Sequence, residues 1–217
     1  MNKLLKIYFI ILLSFIIPVI FISESFANEN KYIVILEKGK KINPDLKTFK
    51  ATLYIKANVA GIPIPFFARL YYKKPDRLKL KIPMAPGILK NKKGLFQDAV
   101  PRSFSGKDYK GEILKEVDLN KKVRCYLLKL IPRKKCKIKK VHLWVDKKSY
   151  LTPKTQVFYN NGSGIVSLQS FRKEGKYVLP DKQRINFNLP KFKASAFIQY
   201  KKYEINVPVD DVFEKKK

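Results

Sequence analysis

The tightest constraint on this chain is a period of two. Residues 77–82 read R-L-K-L-K-I, apolar and basic in strict turn, and side chains that alternate this way stand on opposite faces of a β-strand. Residues 48–57 do the same, with Phe49, Ala51, Leu53 and Ile55 on one face and Lys50, Thr52 and Lys56 on the other. Residues 64–73 align Ile64, Phe66, Ala68, Leu70 and Tyr72. Strands with one apolar and one charged face belong to an antiparallel sheet whose second face meets water. The pattern predicts further strands over 122–131, 138–146, 154–159, 164–172, 184–189, 194–200 and 203–207.

The punctuation agrees. Lys74-Pro75-Asp76 joins two strands through a turn, because proline presets φ and aspartate bonds back to the chain. Asn160-Asn161-Gly162-Ser163-Gly164 and Lys173-Glu174-Gly175-Lys176 supply residues that accept positive φ. Helix is confined to residues 28–41, before Pro44, and to a last turn that Asp210-Asp211 would cap. Residues 83–111 carry Pro83, Pro86 and Pro101 and read as one long irregular excursion, a length usually kept for function such as a lid. The expected fold is mainly β within the α+β class. It is a single strongly curved antiparallel sheet or a partial barrel.

The N-terminus predicts export. Lys3 and Lys6 precede an apolar run, residues 7–22, and Ser25 and Ala27 are small at the two positions a signal peptidase reads. The run of about 16 residues falls short of the ~20 that span a bilayer. Residues 1–27 are therefore expected to be a cleaved signal peptide, residues 28–217 one domain, and the compartment the periplasm.

Lysine and arginine number 47 against 17 aspartates and glutamates, a formal net charge of +30. The excess is mostly lysine, spread along the strands. Two readings stand: compositional drift toward lysine, isoleucine and asparagine, or a field expected to draw the chain toward an anionic membrane surface. A nucleic-acid partner is not expected, since the bases are not gathered on one element with interleaved aromatics.

Catalytic inventory is thin. His142 is the only histidine, and no metalloprotease, serine-elbow or phosphate-loop pattern occurs. No enzyme activity, metal or cofactor is expected. Cys125 and His142 are the one nucleophile–base pair that a hairpin register could bring together. The even cysteine count of an exported chain invites a disulfide between Cys125 and Cys136. A tight turn at residues 132–135 would instead set Cys125 opposite His142, so the bridge needs a looped connection.

Binding fits better. A curved sheet with a large apolar face and little helix to cover it leaves a cavity for an apolar ligand. The candidate lining is Phe49, Leu53, Ile55, Phe66, Leu70, Leu78, Leu80, Leu143, Phe158 and Phe187.

Four ordered stretches point to a family. They are Leu70-Tyr71-Tyr72-Lys73-Lys74-Pro75-Asp76-Arg77-Leu78, Val141-His142-Leu143-Trp144-Val145-Asp146 with Pro153 beyond it, Tyr177-Val178-Leu179-Pro180, and residues 203–213 ending in Asp210-Asp211-Val212-Phe213. In that order they resemble the periplasmic lipoprotein carriers and their relatives, the LolA/LolB-like group. The resemblance implies an unclosed half-barrel with a few short helices as lid, whose apolar cavity holds acyl chains, and a monomer that shuttles lipid or lipoprotein toward the outer membrane. It also implies partner proteins in the inner and outer membranes, or a sensor or adaptor relative that binds a protein instead. Such carriers place an arginine important for cargo transfer just before the turn proline. Lys74 stands there in this chain, without the planar fork of a guanidinium.

Overall fold

The computed structural model describes residues 31–214 except 60, 76, 84–103, 121, 190 and 191. The predicted signal segment and most of the long excursion lie outside the described residues. The first element of the described residues is helix α1 (31–40). The chain continues through β1 (Thr48–Val59), β2 (Ile62–Lys73) and β3 (Arg77–Lys81). Next come β4 (Tyr109–Leu119), β5 (Val123–Pro132), β6 (Ile138–Asp146) and β7 (Lys154–Tyr159). The last strands are β8 (Gly164–Glu174), β9 (Tyr177–Leu189) and β10 (Phe192–Ile205), followed by α2 (Asp210–Phe213).

The ten strands of the described residues form one sheet in the order β3-β2-β1-β10-β9-β8-β7-β6-β5-β4. Every neighbouring pair is antiparallel. The chain lays β1 to β3 outward to one edge. It restarts at the opposite edge with β4 and meanders back until β10 meets β1. Among the described residues β3 and β4 remain edges, so the sheet is unclosed, as the family resemblance implied. Register shifts in the β1–β10, β4–β5, β6–β7 and β8–β9 pairs bend the strands.

Three strand boundaries differ from the sequence reading, each for a local reason. β4 falls partly inside the stretch read as irregular, because the shift between Ile113 and Lys115 breaks the alternation at Leu114. β10 is one strand where two were predicted, since its shift against Thr52/Leu53 interrupts the parity at Lys201-Lys202. β9 begins at Tyr177 rather than at residue 184 and includes Pro180. β9 pairs with β10 only up to Lys182, so Pro180 stands where no second neighbour needs its missing N–H. The last helix also departs in detail. Val209 is its N-cap without a side-chain bond, and Asp210 and Asp211 occupy its first turn, where acidic groups suit the helix dipole.

The two larger cores lie on one face, called inner here, and a small third one, Tyr71 with Val209 and Val212, lies on the other beside β2. The larger one gathers inward residues of β1, β2 and β8 to β10, including Phe49, Leu53, Ile55, Phe66, Leu70 and Phe187. The smaller one sets α1 on β5 and β6 through Tyr32, Ile35 and Leu36 against Leu128, Leu130, Val141, Leu143 and Val145. The spacing 32, 35, 36 makes one stripe of the helix apolar. Burying each such side chain contributes about 1.5–3 kcal/mol. Gly111 on β4 makes the close approach feasible, for a Cβ there would lie 2.5 Å from Leu130 Cδ2 and 2.9 Å from Tyr32 Cδ2. The Tyr32 hydroxyl, carried into the core, donates to the Tyr109 carbonyl at 3.1 Å.

Candidate functional site

Past the point where α1 meets the smaller core, the helix and the inner face of β6 to β8 enclose a hollow of about 270 Å³. Ile35, Leu36 and Gly39 of α1, with Ile42 just beyond it, form one wall. Leu143, Val145, Thr155, Gln169 and Phe171 form the sheet wall. Phe104 and the β6–β7 connection, Tyr150 to Thr152, complete it. The lining is mostly hydrocarbon.

The rim is held by polar contacts. Lys38 Nζ donates to the Tyr150 hydroxyl at 3.0 Å and lies 4.8 Å from the centre of its ring. That hydrogen bond holds the Lys38 ammonium above the usual lysine value. Tyr150 takes φ +58°, a left-handed conformation rare for an aromatic residue, and its N–H donates to Asp146 O at 2.9 Å. Lys40, also on the wall, pairs with Glu37 at 2.7 Å. An amphiphile in the hollow would thus find apolar walls and an ammonium at the mouth.

Beside the hollow, on the same inner face, runs a buried polar seam. The Tyr200 hydroxyl donates to Gln183 Oε1 at 3.2 Å, and Gln183 Nε2 donates to Ser167 Oγ at 2.8 Å. Gln183 pairs across β8–β9 with Gln169, which reaches the hollow. Burial pushes the Tyr200 hydroxyl far up, so it stays protonated and able to donate. The three groups satisfy one another, as buried polar groups must.

Residues 90–217 match a family model described as "-like: Uncharacterized protein". The chain belongs to that family. No curated protein matches it. Among solved structures, a DUF1329 family protein from Desulfovibrio piger superposes with TM-score 0.68 at 10% identity, covering 87% of this chain and 98% of that one. A Vibrio parahaemolyticus domain named as an outer membrane lipoprotein-sorting protein gives 0.67 at 14% identity, covering 84% and 95%. A LolA superfamily protein from Nitrosomonas europaea gives 0.58 at 16% identity, covering 84% and 96%. The fold is LolA-like.

The LolA-like sheet sorts the predicted lining residues into three groups. Leu143 alone lines the hollow. Phe49, Leu53, Ile55, Phe66, Leu70 and Phe187 share its face but are packed into the larger core, and Leu78 and Leu80 pack against that core from β3. The protein's own side chains fill the space expected for ligand there. Phe158 is on the other face altogether. It pairs with Lys140, lies 5.0 Å from the His142 ring and carries Lys140 Nζ 4.7 Å over its own. The run Val157-Phe158-Tyr159 is apolar three times over, so its parity could not be read from sequence.

Lys74 is also placed apart from the hollow. Its ammonium donates to the Pro44 carbonyl at 2.8 Å and its N–H to Lys47 O at 2.8 Å, tying the β2–β3 turn to the segment after α1. The cysteines are free, Cys125 buried and Cys136 exposed. Cys125 pairs with Asp146 at the far end of β6, while Cys136 precedes Ile138 at its start. Eight strand residues separate those ends, about 26 Å at ~3.3 Å per residue, far beyond a disulfide's reach. The register likewise sets His142 opposite Lys129, not Cys125, which removes the one nucleophile–base pair. The wall supplied by α1 was missed, although the stripe Tyr32, Ile35, Leu36, Gly39 was there to be read.

Proposed function

We propose that this protein is a non-enzymatic periplasmic carrier that holds an acyl chain of a lipid or lipoprotein in the hollow between α1 and β6–β8. The apolar, preformed hollow carries the reading, and the likeness to lipoprotein-sorting folds supports it. Burying hydrocarbon at about 0.8 kcal/mol per methylene retains a chain reversibly. Lys40 at the wall suits an anionic head group. Export through residues 1–27 would bring the protein to the membranes it serves, and membrane partner proteins would load and unload it. Native mass spectrometry of protein purified from the envelope should show bound lipid. A lipid-free mass, together with no uptake of a fluorescent fatty acid, would refute the proposal.

One observation favours a second reading. Over β1, β2, β9 and β10 the inner face is filled by its own side chains, as an adaptor or sensor that binds a protein partner would have it. Such a protein would bring down an envelope partner while failing to take up the fatty acid.

A further inference from the structure

The outer face of the sheet carries an ordered row of side chains that the hollow does not use. The register brings Trp144, Lys154, Leu168, Arg184, Phe197 and Lys56 into line across β6, β7, β8, β9, β10 and β1. Paired residues of an antiparallel sheet share a face, so apolar and basic groups alternate across six strands with no acid between them. Beside the row, Phe67 is 61% exposed and packs on Tyr54 with ring centres 5.5 Å apart. Leu168 is 38% exposed, and Lys154 Nζ lies 4.2 Å over the Trp144 ring. Lys56, Arg184, Arg69 and Lys182 are exposed. One ion pair of the described residues lies beside the row, Lys50 with Glu204 at 2.9 Å, while others involve acids away from it, such as Glu112 and Glu116 on the β4 edge and Glu37 on α1.

We infer that this face docks on an anionic lipid bilayer. Lysines near such a surface attract it, while exposed Phe67 and Leu168 can enter the boundary between head groups and chains. A nucleic acid would need open aromatic rings for its bases to stack on. Here a lysine covers the tryptophan, and leucine offers no stacking face. The docking face is opposite the hollow, so the two readings can fail separately.

The test uses the full mature chain with vesicles of phosphatidylcholine alone or mixed with phosphatidylglycerol. Binding is expected only to the mixed vesicles and should fall with salt. Trp144 is the only tryptophan, so its emission should shift to the blue and be quenched by brominated lipid chains. Lys56→Gln combined with Arg184→Gln should weaken binding roughly thirtyfold. Lys134→Gln with Lys135→Gln removes the same charge from the exposed β5–β6 loop and should cost at most about threefold. Phe67→Ser with Leu168→Ser should weaken binding without changing its salt dependence. Uptake of a fluorescent fatty acid should be the same in all three variants. Equal losses from the two charge pairs would reduce the effect to net charge and overturn the inference. So would a silent Trp144, or tighter binding to duplex DNA than to the mixed vesicles.

Discussion

Arg172 Nη1 donates to the carbonyl oxygen of Tyr200 at 2.9 Å, reaching from β8 to β10 past the end of the β9–β10 pairing. Nη2 donates to Lys201 O at 3.2 Å, and the guanidinium also meets Glu174 at 3.1 Å and Asp181 at 3.3 Å. It stacks over the Tyr203 ring, whose hydroxyl donates to Pro180 O at 2.7 Å across the same split. A planar fork thus takes the place of a missing strand neighbour for the bulged end of β10. Arg172→Lys cannot make both carbonyl bonds. It should lower unfolding free energy in urea by about 1–3 kcal/mol. An unchanged urea midpoint would show that the split needs no clamp.

Gly111 sets how closely α1 approaches the sheet. Gly111→Ala must displace Leu130 or Tyr32 and should cost about 1–3 kcal/mol of stability. Near-UV circular dichroism should report the moved tyrosine, and calorimetry the loss.

Filling the hollow should abolish uptake while sparing the fold. Thr155 is on its sheet wall, and Thr155→Phe places a ring where the chain would lie. Fatty-acid affinity is expected to fall by at least about tenfold, a loss of some 1.4 kcal/mol. Unchanged affinity with intact thermal unfolding would move the ligand elsewhere.

His142 gives the protein a pH dependence of definite sign. Burial, helped by Lys140 and Lys129, holds its imidazole below the ordinary value, and its buried Nε2 has no hydrogen-bond partner. The unfolded chain then protonates at higher pH than the folded one. Stability is therefore intact above the ordinary imidazole range and declines as pH falls through it toward the folded value. His142→Phe should flatten the thermal midpoint between about pH 7 and 5. The carboxylates of Asp45, Glu116 and Glu204, held low by lysines, lose their contribution only at lower pH.

The two thiols should react unequally. Burial, with Asp146 and Asp118 adding, pushes Cys125 up to about 11, leaving about one thiolate per thousand at pH 8. Maleimide added to the native protein should modify exposed Cys136 alone, and Cys125 only after denaturation. Rapid labelling of both would place Cys125 at the surface.

The alternation by itself determined that this chain builds an antiparallel sheet with one apolar and one basic face. Strands β1, β2, β5, β6, β7 and β8 fall where the period of two put them, because side-chain parity is a local property of extended backbone. Parity fails where a bulge inserts a residue, and so β4 at Leu114 and β10 at Lys201 escaped it. The hollow was not legible either. Which inner-face residues stay uncovered depends on where α1 docks, and that follows from the missing Cβ of Gly111, far away in sequence from the helix stripe it admits. Register made the remaining decisions, turning Phe158 outward, parting Cys125 from His142 and lining up Trp144 to Lys56. Such alignments between distant strands are set by packing and turn geometry together, which no single segment encodes.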